Sequence, residues 1–189
     1  MGEHPTTPSQ TVGPFFHDAL PYEHGPRLVA VGEPDAITLS GTVFDGAGEP
    51  IPDALVEIWH ADTRGEFVET GGIFDEATAF RGFGRCPTDA AGRYEFATVR
   101  PASVPTVDGL TQAPHISMSV FARGMLRRVA TRVYFDDQSE THAGDPLLSS
   151  LDELRRPTLV ARSDAGGGFI FDVHVQGDNE TVFLDIFAR

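Results

Sequence analysis

Short runs of alternating apolar and polar residues, most of them stopped by glycine or proline, set the terms on which this chain can fold. Residues 37–45 read ITLSGTVFD, 54–62 ALVEIWHAD, 92–100 GRYEFATVR, 115–123 HISMSVFAR, 127–137 RRVATRVYFDD and 168–176 GFIFDVHVQ. A period of two sends successive side chains to opposite faces, so each run reads as a half-buried strand. TVFLDIF, after a GDNE turn, reads as one more. Phe169, Phe171, Val173 and Val175 share one side. Residues 63–89 have little period and are expected to be a long loop with isolated strand pieces. One stretch predicts a helix: DPLLSSLDELRR at 145–156, with Asp145 as N-cap, Pro146 at the first position and Pro157 beyond the end. Leu147, Leu148, Leu151 and Leu154 recur there at helical spacing and are expected in the core. The fold class that follows is all-β, a two-sheet β-sandwich with one short helix.

The 14 prolines and 20 glycines are unevenly used. Prolines at 5, 8, 14, 21, 26 and 34 make residues 1–36 an extended arm, expected to lie on a surface rather than to join a sheet. Residues 37–189 are then the sandwich domain. The arm's apolar tips, Val12, Phe15 and Phe16, need something to lie on, either this chain's core or a partner. No window approaches the roughly 18 apolar residues of a membrane span. The polar start MGEHPTTPSQ has no basic or apolar segment of a secretory signal. A single cysteine, Cys86, suits a reducing cytoplasm. The formal charge of −14, with arginine as the only strong base, disfavours nucleic-acid binding.

Two histidines at i and i+2 of a strand could share a metal ion, because both imidazoles would leave one face. Residues 115–117 read HIS, so His115 has Ser117 where the second imidazole would be. His115 reads either as a strand histidine satisfied by a neighbour or as a surviving weak metal contact. No Gly-x-Ser-x-Gly turn activates Ser117 or Ser119, and Cys86 has no evident base beside it.

The order of features in LSGTVFDGAGEPIPDALVEIWHADTRGEF, residues 39–67, is narrower than a generic sandwich module. It resembles the signature of the intradiol ring-cleavage dioxygenases. The resemblance begins at TPSQTVGPFFH and continues through FGR, APHISMSVFARG, TRVYFDD and RRPTLVAR to VQGDNETVFLDI. In that family two tyrosines and two histidines hold a ferric ion. The matching positions here carry Phe67, Val104, His115 and Ser117. Ferric ion is a hard cation that favours anionic oxygen, and one imidazole beside phenyl, isopropyl and hydroxyl groups is not a site for it.

Some family members pair this kind of chain with a homologous beta subunit that carries the iron. FARG and QGDNETVF favour the chain without it. The resemblance then implies cleavage of protocatechuate by O2, between its hydroxyl-bearing carbons, to 3-carboxy-cis,cis-muconate. This is a step of aromatic catabolism in the beta-ketoadipate pathway. Fe(3+) would belong to the partner. The arm would form a wall of the partner's pocket through Thr11, Gly13 and Pro14, with Arg123 facing the same region. The plainer readings are an ordinary arm contact for Thr11 and a surface salt bridge for Arg123. A stand-alone β-sandwich binding module is the alternative function. A homo-oligomeric catechol or hydroxyquinol enzyme is disfavoured by the missing tyrosines.

Overall fold

Alternation becomes strands. In the computed structural model, which describes residues 11, 13, 15–68 and 80–186, the strands are β1 (Ala36–Phe44), β2 (Leu55–Trp59), β3 (Phe83–Pro87), β4 (Arg93–Val99), β5 (Val104–Pro105) and β6 (Thr111–Gln112). They continue as β7 (Ile116–Phe121), β8 (Val129–Phe135), β9 (Val160–Ser163), β10 (Phe169–Ile170) and β11 (Val173–His174). β4 pairs antiparallel with β1, and β10 and β11 pair parallel with it. β3, β2, β7 and β8 form an antiparallel second layer. β9 joins the layers, antiparallel to β10 and parallel to β8. Leu39, Val43, Phe96, Phe169, Phe171 and Val173 from one layer meet Val56, Ile58, Ile116, Met118, Val120 and Val133 from the other in a single core.

One turn recurs. Asp45, Asp62, Asp89 and Asp164 each begin an Asp-x-x-Gly-x turn in which one carboxylate oxygen accepts the backbone N–H groups of the residues two and four further on, at 2.7–2.9 Å. The glycine of each turn, at 48, 65, 92 or 167, has φ between 71° and 83°. Only glycine enters that region without strain, and the aspartate supplies the acceptor the tight backbone lacks.

Three expectations are corrected. The helix is cut short: α3 spans Pro146–Ser150, and Leu151 is extended at φ −96°, ψ 150°. Asp145 caps it and Pro146 opens it as expected. Ser149 and Ser150, however, donate their hydroxyls to the carbonyls of Ala143 and Leu147, a local bonding that competes with helix continuation. Leu154 is consequently 89% exposed instead of in the core. There are also two other short helices, α1 (Phe15–Ala19) and α2 (Ser139–His142). Residues 181–186 form no strand, although Leu184 N–H donates to Ala130 O.

The last part of the arm does enter the fold. Arg27 bridges to Ala97 of β4, and Val29 bridges to Phe80 beside β3. Leu28 is fully buried between them. The arm's α1 rests on the second layer: the Phe16 ring stacks on Phe121 at 5.6 Å, and His17 Nε2 donates to Thr88 O at 2.9 Å.

Candidate functional site

The outer face of the β2–β7–β8 sheet assembles the residues that matter. In antiparallel pairing, directly opposed residues share a face. Trp59, Ser117 and Arg132 are opposed in one row. Continuing the β7–β8 register by one residue sets His115 beside Tyr134, and their rings lie 5.7 Å apart. The turn at Asp62 reverses the chain so that Phe67 returns onto Trp59, stacked at 4.5 Å and 21°. Both rings remain about half exposed. Val104, buried in β5, lies against the same turn, since a Cβ built on Gly65 would stand 3.7 Å from its Cγ1. The fold therefore gathers Phe67, Val104, His115 and Ser117 at one corner, around the end of β2 and the start of β7.

His115 is held by its own strand entry: Nδ1–H donates to Ala113 O at 2.8 Å. Burial, aided by the nearby Arg132 charge, lowers its pKa to about 4, so the ring is neutral near pH 7. Arg132 Nη1 donates to Tyr134 Oη at 3.4 Å, and the tyrosine hydroxyl donates to Asp145 at 3.0 Å. Burial pushes the Tyr134 phenol far above its usual pKa. It is a hydrogen-bond donor and not a phenolate. His60, one residue beyond β2, is also buried: Nδ1–H donates to Ala61 O at 2.8 Å and Nε2 accepts from Thr98 Oγ1 at 2.7 Å. Its pKa falls to about 4 because burial disfavours the cation.

This corner offers a metal ion one neutral imidazole, a hydroxyl and hydrocarbon. Among the described residues, no three His, Cys, Asp or Glu side chains gather elsewhere to hold one. A ferric ion does not fit the donor set. The local reading of His115, a strand histidine satisfied by a neighbour, matches its bond to Ala113. Alternation alone marks Arg132 and Tyr134 as sharing a face; that this face is also that of His115 depends on a register between separate strands.

Arg123 lies elsewhere. It follows the far end of β7, where its guanidinium pairs with Asp53, Nε to Oδ2 3.1 Å, and the side chain stays 66% exposed. That places it beside the arm's landing point, since Phe121 carries Phe16, and Asp53 helps to raise the pKa of His17 after the Thr88 carbonyl and Asp18. Thr11 is exposed and Gly13 half-buried just ahead of α1. A Cβ on Gly13 would meet nothing within 4 Å, so no described residue of this chain requires glycine there. Pro14 lies outside the described residues.

Comparison with known proteins gives these positions a context. A family model described as Dioxygenase matches residues 11–173. The chain is 38% identical to the protocatechuate 3,4-dioxygenase alpha chain of Pseudomonas putida over 96% of both chains. It is 31% identical to the beta chain from Burkholderia cepacia, covering 94% of this chain and 78% of that one. Among solved structures, catechol 1,2-dioxygenase from Acinetobacter sp. ADP1 superposes with a TM-score of 0.56 at 26% identity. That match covers 82% of this chain but spans only 59% of the catechol enzyme. With the signature run, the sandwich and the matched span in agreement, the chain belongs to the intradiol dioxygenase family.

Proposed function

We propose that this chain is the alpha-type subunit of a protocatechuate 3,4-dioxygenase, working in the cytoplasm with a homologous, iron-bearing beta subunit. The observation that carries the reading is a retained scaffold with a lost donor set. The likeness to an alpha chain runs the length of the protein, while the positions where the family holds iron carry Phe67, Val104 and Ser117. The reaction inserts both atoms of O2 into the ring of protocatechuate between its two hydroxyl-bearing carbons, giving 3-carboxy-cis,cis-muconate. The iron chemistry belongs to the partner. This chain contributes enclosure and charge placement.

Two features support a contribution through the arm. Among the described residues nothing lies close enough to Gly13 to require glycine, whereas a backbone approached closely by a partner or its substrate would require it. Phe15, on α1, is 77% exposed, an apolar tip left for a partner to cover. Thr11, Gly13 and Pro14 are the wall, and Arg123 is the positive group set to meet a substrate carboxylate.

Co-expression with a beta chain is the test. A heteromer containing iron and turning over protocatechuate is the expected product, and removal of residues 1–16 should weaken its assembly while leaving the sandwich folded. A chain that stays monodisperse and alone beside its candidate partner would favour the binding-module alternative.

Within the heteromer, Arg123→Ala is expected to lower kcat/KM for protocatechuate about ten- to a hundredfold, the effect of losing one charge-assisted contact. Iron content and assembly should not change. Catechol, which lacks the carboxylate, should be affected far less. Equal losses on both substrates would assign Arg123 to the scaffold through its Asp53 pair.

A further inference from the structure

The register that places Ser117 on the outer face also places Arg132 directly opposite it. Arg132 is diagonal to His115 and bonded to Tyr134, the residue beside His115. Among the described residues, no carboxylate lies within ion-pairing distance of its guanidinium. Asp145, the carboxylate to which Tyr134 donates, is one side chain removed from it. That carboxylate is fully buried and already accepts from the backbone of Ala113, Leu147 and Leu148.

We infer that Arg132 takes the place of the metal in this chain, supplying a permanent positive charge at the corner where the family holds iron and excluding cations from it. This role for Arg132 rests on family membership and on the chain's own geometry, and stands independently of the partner assigned above. Its physical basis is charge. The guanidinium is a delocalised cation that proteins do not neutralise. A fixed charge within a few ångströms of an incoming trivalent cation repels it strongly, because a partly buried pair is little screened by salt. The same side chain satisfies the face that a metal would otherwise organise, by donating to Tyr134. Two features of this corner therefore disfavour a metal ion: the donors are absent, and a cation is built in.

Paired variants separate the two. Phe67→Tyr with Ser117→His restores one phenol and one imidazole beside His115, leaving the buried Val104 untouched. The full chain carrying this pair would be compared with the same pair plus Arg132→Gln. Each would be offered Fe3+ as its citrate complex, with iron counted in excess of the parent protein and tyrosinate-to-iron absorbance recorded. With Arg132 in place, little excess iron is expected. With glutamine there, iron affinity should rise by about tenfold or more. Equal uptake by both variants overturns the inference, and so does absence of uptake by both, since either result means that Arg132 is not what excludes the ion. If the phenol disrupts folding, judged by circular dichroism, Ser117→His with and without Arg132→Gln, titrated with Co2+, makes the same comparison. Tighter Co2+ binding with glutamine at 132 is then the expected result, and equal or absent binding overturns the role assigned to Arg132.

Discussion

Asp145→Ala is expected to destabilise the fold by about 3–5 kcal/mol, the scale of an uncompensated buried polar loss. The carboxylate is fully buried. Oδ1 accepts from Leu147 N at 2.9 Å, Leu148 N at 3.0 Å and Tyr134 Oη at 3.0 Å, and Oδ2 accepts from Ala113 N at 2.9 Å. One side chain thus caps α3, anchors the segment entering β7 and fixes the Tyr134 hydroxyl. Alanine leaves four donors without that acceptor, most of them buried. Asparagine keeps one acceptor but turns an NH2 toward another N–H, so Asp145→Asn should lie between wild type and alanine. Urea unfolding would measure both, and a loss under about 1 kcal/mol for alanine would mean that water replaces the carboxylate. The same variant should loosen His115 and Tyr134, which depend on the two ends Asp145 holds.

Stability should fall as pH drops from about 6.5 to 4, and His60 and His115 are the reason. Both have folded-state pKa values near 4, lowered first by burial, whereas an unfolded histidine titrates near 6.5. Between those values the unfolded chain binds protons that the native state does not, so unfolding is favoured as pH falls. Above about 6.5 the effect is absent, and below about 4 it is complete. For His60, 2% exposed, the loss is on the order of 3 kcal/mol, with His115 adding to it. His17 acts with the opposite sign. Its pKa is raised by its bond to the Thr88 carbonyl, so it contributes stability below the unfolded value that is lost as pH rises through the folded one. The depressed carboxylates, Asp62, Asp89 and Asp136, lose their contribution only as pH falls through pKa values below the usual range. Chemical denaturation across the histidine window would expose the slope, and His60→Gln should remove much of it. A flat profile between pH 6.5 and 4 would mean that both rings take up protons in the folded state.

The strands were legible wherever alternation ran for five residues or more, as in β1, β4, β7 and β8. β9 was not, because TLVARS has no clear period and gains its strand form from pairing with β8 and β10. The sequence breaks GFIFDVHVQ nowhere, yet the ladder stops between β10 and β11. There Thr42 N–H donates to the Asp172 side chain rather than to a backbone carbonyl. The repeated Asp-x-x-Gly turns were present in the letters, and their spacing of three was the available signal. The return of Phe67 over the sheet was readable from its turn. Arg132 was harder to read, because its meaning comes from standing opposite Ser117, and no local pattern reports a pairing across strands. The burial of His60 was as hard to read, since its partner Thr98 lies 38 positions away.

The stack of Trp59 on Phe67 has a use beyond packing. The sequence contains one tryptophan, and it is this ring, 48% exposed at the edge of the corner that gathers Phe67, His115 and Ser117. Indole fluorescence from the protein therefore originates at a single known place, where solvent, the neighbouring phenyl ring and any arriving surface compete for the same face. The chain carries its own optical probe at that corner and needs no label to report what covers it.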